Sequence, residues 1–298
     1  MFIITYKKIF FAIALVLIVG SIVTMAIKGF NLGVDFTGGS MLDVSYDTRP
    51  SIALLNAAIK PIQPDAEIQY AGTNDVLIRT APIDETAKGI IMTALTIQGA
   101  QPTEKSFDTI GPSVGRELRS KAILAVVLAS LAIICFIAFA FREVSKPISS
   151  WVYGCTAVLG LIHNIIIPAG FFSLFHLQVD TLFVVGLLTI IGVSVHDTIV
   201  VFDRTRENLK LNESKKTHEE FAHTVGKSIK QTFTRSIMTS VTVLLSLAAL
   251  YFFGPQSTQN LAIVMFLGML FGAYSSIFLA SPLLVVWNDR KMKKAGKK

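Results

Sequence analysis

Asp197 lies inside the apolar stretch of residues 181–202, and Arg235 stands where the next apolar stretch, residues 236–253, begins. A charge set in hydrocarbon costs roughly 2.5–3.5 kcal/mol on insertion scales, and one kept there points to ion or proton movement. At the 1.5 Å rise of a helix, Asp197 sits roughly 8 Å from the inner end of its segment, too deep for a short side chain to reach the interface. Thr239, one turn beyond Arg235, reaches a similar depth from the same side, and His196 adjoins the aspartate. The expectation is a polar cluster of Asp197, Arg235, Thr239 and His196. Desolvation favours a neutral carboxyl and a guanidinium favours a charged one, so moving the two apart converts helix motion into proton uptake and release. A static salt bridge is the alternative for the same residues. His163 and Asn164 also fall in mid-span, five residues before Pro168, where their polar groups need partners on neighbouring helices, as structural glue.

The elements that must position these residues are membrane spans. The 298 residues are 52% hydrophobic and only 16% charged. Six runs, residues 9–27, 122–141, 151–172, 181–202, 236–253 and 261–287, approach the roughly 20 residues that cross an apolar core. The first follows Lys7 and Lys8 but is too long for a signal-peptide core and shows no small-x-small cleavage site before Lys28, so it reads as an uncleaved anchor. Cys135 and Cys155 fall in or beside spans two and three and read as packing residues rather than a disulfide framework. Gly268 and Gly272 form a GxxxG that lets another helix approach, and Ser246, Ser275 and Ser276 suit small-residue interfaces.

The net charge of +7 comes from basic residues beside span ends, with no aromatic-interleaved platform for nucleic acid. Placing both termini in the cytoplasm puts Lys7, Lys8, Arg142, Lys146, the eight Lys and Arg of residues 203–235 and the six of residues 290–298 on that side. The short loops 173–180 and 254–260 then carry no Lys or Arg. The 203–235 segment has charges at helical spacing with Phe221, Val225 and Ile229 four apart, which predicts an amphipathic helix lying in the interface. Arg204 and Arg206 read as membrane-edge anchors, with Asp203 and Glu207 as their solvated partners.

The expected organisation is therefore residues 1–28 for the N-terminus and first span, 29–121 for an outer domain, 122–288 for five further spans including the 203–235 segment, and 289–298 for a basic tail. Within the outer domain, alternation predicts strands at 40–46, 67–72, 76–80 and 103–110 and helices at 51–60 and 85–98, with Thr73-Asn74-Asp75 as a hairpin turn. That order is βαββαβ, the ferredoxin-like split unit. The fold class is thus an α-helical membrane protein with six transmembrane helices plus a small α+β ferredoxin-like periplasmic domain between helices one and two. Two glycine-rich motifs flank the domain, Gly33-Val34-Asp35-Phe36-Thr37-Gly38-Gly39 and Gly111-Pro112-Ser113-Val114-Gly115-Arg116. Neither has a nucleotide-cradle spacing. Gly33, Asp35, Phe36, Gly38 and Gly39 read as a domain junction of tight turns with positive φ, or as a hinge. No nucleophile elbow, HExxH, Walker loop or metal-ligand cluster is present in the sequence, so no enzyme, cofactor or metal is expected.

The run Gly192-Val193-Ser194-Val195-His196-Asp197-Thr198-Ile199-Val200-Val201-Phe202-Asp203-Arg204-Thr205-Arg206-Glu207-Asn208 resembles the fourth-span signature of the SecF family of bacterial Sec translocase subunits. The GVDFTGG run resembles the start of that family's periplasmic domain, and the likeness covers essentially the whole chain. It implies partnership with SecD in a proton-driven complex of the inner membrane, similar to resistance-nodulation-division transporters. That complex assists the SecYEG channel and the SecA motor, with other accessory translocon subunits, in exporting preproteins. It implies proton conduction through Asp197, Arg235 and Thr239, with outer-domain movement drawing the preprotein outward. Two departures stand out: His196 replaces the usual Asn before the aspartate, and His163-Asn164 replaces His-Asp in the third span. The alternatives are a proton-coupled exporter of small molecules or lipids from the same superfamily, or a scaffold of the translocon that transports nothing. Exporters of that kind combine about twelve spans and two outer domains, which disfavours the first.

Overall fold

In chain order, the computed structural model contains α1 (Phe2–Thr5), α2 (Lys7–Lys28), β1 (Asn31–Leu32), α3 (Val34–Thr37), β2 (Gly39–Ser45), α4 (Ile52–Ile59), β3 (Glu67–Ala71), β4 (Asp75–Thr80) and α5 (Glu85–Ala94). There follow β5 (Thr103–Ile110), α6 (Pro112–Ala140), α7 (Ser150–Leu174), β6 (Gln178–Val179), α8 (Thr181–Ser214), α9 (Phe221–Phe253), α10 (Gln259–Tyr274), a π turn (Ser275–Ala280) and α11 (Ser281–Ala295). The structure describes residues 2–97, 99–140, 148–217 and 219–295. Arg142, Lys146 and the last residues of the basic tail, all assigned to one membrane side by the sequence, lie outside them. The chain divides into two compact units, one made of Met1–Asn31, Ala125–Leu177 and Leu182–Lys298, the other of Leu32–Leu124 and Gln178–Thr181.

The smaller unit runs β2-α4-β3-β4-α5-β5, and its sheet has the order β3-β4-β2-β5 with every neighbour antiparallel. Strand alternation sends Leu42, Val44, Val76 and Ile78 to one face, where Leu55 and Ile59 of α4 and Ile91 of α5 cover them. Both helices start on a side-chain cap: Ser51 accepts from the Leu54 amide at 3.4 Å and Asp84 from the Ala87 amide at 2.8 Å. The Tyr46 hydroxyl donates to the Leu95 carbonyl at 3.0 Å, and burial pushes its pKa up to about 12.

The opposite sheet face is polar. Asp75 accepts from the Lys105 ammonium at 2.6 Å, which holds its carboxyl below the usual range. Asp43 lies beside that pair on the central strand, with a carboxylate oxygen that is buried and unpartnered. Burial, and then the Asp75 charge, push the Asp43 carboxyl up, against the pull of Lys105. A register shift between Asp43 and Val44 opposite β5 lets Lys105 reach both carboxylates.

Six helices of the described residues are long and apolar enough to cross a membrane: Lys7–Lys28, Pro112–Ile137, Trp151–Leu174, Thr181–Ser214, Phe221–Phe253 and Gln259–Lys293. The third, fourth and sixth are half or more buried by the others, whereas the first, second and fifth turn most of their surface outward. Close approach is set by small residues. A Cβ on Gly268 would strike the Ile190 side chain, and one on Gly272 would stand 3.2 Å from the Ser194 hydroxyl, so the GxxxG brings α10 onto α8. Ser275 and Ser276 are buried, whereas Ser246 is exposed. The sixth span is interrupted by the π turn, which no proline or glycine within it announces.

Two expectations require correction. Residues 203–235 do not form a separate helix lying in the interface: α8 continues to Ser214, and α9 begins at Phe221 and runs unbroken into the fifth span. Phe221, Val225 and Ile229 are buried against Val201 and Phe202 rather than facing lipid. Cys135 and Cys155 are free and exposed, so neither is a packing residue.

Candidate functional site in the spans

On α8 the buried positions recur at helical spacing through Ile190, Ser194, Asp197, Val201 and Thr205, a stripe that puts polar groups between helices rather than toward lipid. Ser194 and Thr198 look one way. The Asn164 amide donates to the Ser194 hydroxyl, His163 Nδ1 pairs with Asn164 Oδ1 at 3.0 Å, and the Thr198 and Ser276 hydroxyls are 2.8 Å apart. His163 is fully buried, stacks on Tyr274 with centroids 5.8 Å apart, and keeps its Nε2 unpartnered. His163 and Asn164 thus join the third span to the fourth and sixth.

Asp197 looks toward α9. It is 5% exposed, and Ser240, His196 and Arg235 come close enough to act on its carboxylate, while the Ser240 hydroxyl donates to the Ser236 carbonyl at 2.8 Å. Ser236, one turn before Ser240, is 2% exposed and its hydroxyl has no partner. A hydroxyl both donates and accepts, so Ser240 can pair with that carboxylate in either protonation state.

Of the four residues singled out in the sequence, Asp197 alone is buried; His196, Arg235 and Thr239 are exposed on the outside of α8 and α9. Asp197 makes no salt bridge with Arg235 among the described residues, whose ion pairs near this site are Arg204–Glu207 and Arg206–Asp203. Thr239 turns its hydroxyl back to the Arg235 and Ser236 carbonyls, each at 3.0 Å. Sequence reading missed Ser236 and Ser240, although their signal was present: each stands one residue on from the Arg and Thr it identified.

The first glycine motif folds within the smaller unit. Gly38 and Gly39 have φ of +78° and +146°, and a Cβ on Gly38 would lie 2.7 Å from Pro112 Cα. Gly33 has ordinary extended backbone, and its constraint is space, since a Cβ there would meet the Gln178 amide at 2.7 Å. Asp35 accepts from the Thr181 amide at 2.8 Å, and Phe36 is 6% exposed. The motif is a packed junction in which residues 33–39, the start of α6 and residues 178–181 touch backbone to backbone.

With this geometry in place, comparison decides the family. Residues 91–290 match the model of the protein export membrane protein SecD/SecF C-terminal region, and residues 23–48 match the SecD/SecF GG motif. The chain belongs to the SecF family. The protein translocase subunit SecF of Sebaldella termitidis is 36% identical over 98% of this chain and 92% of its own length. The protein translocase subunit SecDF of Thermus thermophilus is 33% identical over 91% of this chain, which matches 36% of that longer protein. The crystal structure of SecDF from Thermus thermophilus, a translocon-associated membrane protein, superposes with a TM-score of 0.85 at 31% identity, over 96% of this chain and 38% of that one. The chain is therefore a membrane protein, with six apolar helices among its described residues, and is related over nearly all of its length to subunits of the protein translocase.

Proposed function

We propose that this chain is the SecF half of a SecD–SecF complex that uses the proton-motive force to assist preprotein export through SecYEG and SecA. One observation carries the reading. Asp197 is buried at the α8–α9 boundary, and beside it an arginine, a histidine and a threonine lie exposed on the outer face of otherwise apolar helices. Lipid tails cannot solvate that face, so a protein neighbour or a wet crevice must cover it. The Thermus thermophilus SecDF relative, a single chain more than twice as long, supports a SecD-like half as that neighbour.

In this account Asp197 takes a proton from one side and releases it to the other as α8 and α9 shift. Ser240 and Ser236 carry it locally, and Arg235, Thr239 and His196 complete the path at the covered face. The electrical part of the force supplies about 2.3 kcal/mol per charge for each 100 mV. The smaller unit is a ferredoxin-like periplasmic domain that moves with this cycle and engages the emerging preprotein, and the glycine junction is where it is anchored or hinged. The subunit lies in the bacterial inner membrane with both termini in the cytoplasm, and it makes or breaks no covalent bond. The test is preprotein export in cells carrying Asp197→Asn at normal protein level. Export should fall to that of cells in which the force has been collapsed; unchanged, force-dependent export removes Asp197 from the mechanism.

A further inference from the structure

A cavity of about 630 Å³ opens between α1 and the first turns of α9, lined by Phe2, Ile3, His223, Lys227, Lys230 and Phe233 among others. The three basic residues stand at i, i+4 and i+7 of α9, so they share one face of the helix, and all three are exposed. Below them the lining is apolar, with Phe2 66% and Phe233 39% exposed. The cavity sits where two membrane helices begin. α1 directly precedes α2, and the fifth apolar run starts at Ser236, just beyond Phe233.

We infer that this cavity binds the phosphodiester headgroup of an anionic phospholipid, with Lys227 and Lys230 on the phosphate and Phe2 and Phe233 against the start of the acyl chains. Cations above an exposed aromatic floor at the edge of a span match both ends of such a molecule, and an acidic soluble partner would match the cations alone. The nearby carboxylate does not satisfy the site. Glu219 is taken up by His223, Asn212 and Thr224, and although it feels the Lys227 charge, Lys230 forms no ion pair among the described residues.

Native mass spectrometry of the purified full chain, exchanged into phosphatidylglycerol or phosphatidylcholine, tests this. The wild type should retain phosphatidylglycerol preferentially. The Lys227→Gln/Lys230→Gln pair should lose about 30-fold of that affinity, about 2 kcal/mol at 1.4 kcal/mol per decade, and Lys230→Gln alone about 5-fold. Lys215→Gln/Lys216→Gln, whose lysines are exposed outside the cavity lining, should change nothing. Unaltered retention by the double variant overturns the proposal, and so does equal retention of phosphatidylcholine. Displacement by excess inorganic phosphate overturns it too, because it would mark a site for free anions.

Discussion

The extensions of α8 and α9 beyond the apolar spans and the middle of those same helices treat polar side chains in opposite ways. In the extensions the side-chain amides find partners within the chain. Asn208 donates to the Ser228 hydroxyl and the Gln231 carbonyl, both at 2.8 Å, and Arg204 donates to that same Gln231. Asn212 donates to Glu219 at 2.8 Å and to Thr224 at 3.0 Å. Within the spans, Asp197 has no ion pair among the described residues, Ser236 and His163 keep unpartnered atoms, and Arg235 and Thr239 face outward. A closed ladder clamps two helices together; an open cluster awaits a proton, a water or a neighbour. Together they imply that α8 and α9 are held as a pair at the ladder end, so relative motion of the two is confined to the spans above it.

Breaking the ladder should have the largest effect on stability. Asn208→Leu removes two hydrogen bonds that join the helices, while Ser228 keeps the Thr224 carbonyl and Gln231 keeps Arg204, so it should cost about 1–2 kcal/mol, read as a fall in melting temperature of the purified chain. At an equal folded level it should leave the force dependence of export intact. An unchanged melting temperature would mean that the ladder clamps nothing. Within the smaller unit the same contrast recurs on one sheet face, where Asp75 is paired and Asp43 is not. Removing the unpaired charge with Asp43→Asn should stabilise the domain by about 1 kcal/mol, measured by hydrogen exchange of β2 and β4 amides. A loss of protection there would show that Asp43 has a partner.

The smallest effect concerns pH. Because Lys105 lowers the Asp75 pKa in the folded state, the pair contributes stability above the ordinary carboxylate range and loses it as the pH falls through that lowered value. Asp43 has the opposite sign: its raised pKa costs stability when it is ionised, and the cost is relieved as the pH falls through that raised value. Lys105 is half exposed and its pair with Asp75 is screened by water, so Lys105→Met should change stability at neutral pH least of the three substitutions and flatten the acid limb of the exchange profile. An acid limb as steep as the wild type's would assign it to other carboxylates.

Much of this architecture is legible in the residues. Runs of about twenty apolar residues mark the spans because hydrocarbon thickness fixes their length. The strand at residues 40–46 shows itself by alternation and is observed at Gly39–Ser45. Azimuth is harder to read. Helical rise places Arg235 and Thr239 at the depth of Asp197, but one residue of rotation decides that Ser240, and not Thr239, turns inward beside it. The stripe of Phe221, Val225 and Ile229 fits an interfacial helix as well as one packed on a neighbour, because amphipathicity records a buried face and not what buries it. The π turn and the shift beside Asp43 leave no local mark, since tertiary packing sets both.

The most direct measurement is proton entry into vesicles containing this chain together with a SecD subunit, under an imposed pH gradient and potential and followed by an interior pH dye. Asp197→Asn should abolish the entry that depends on the complex, while Ser228→Ala, which alters only the ladder, should leave it at the wild-type rate. Proton entry that persists undiminished in Asp197→Asn would contradict the account.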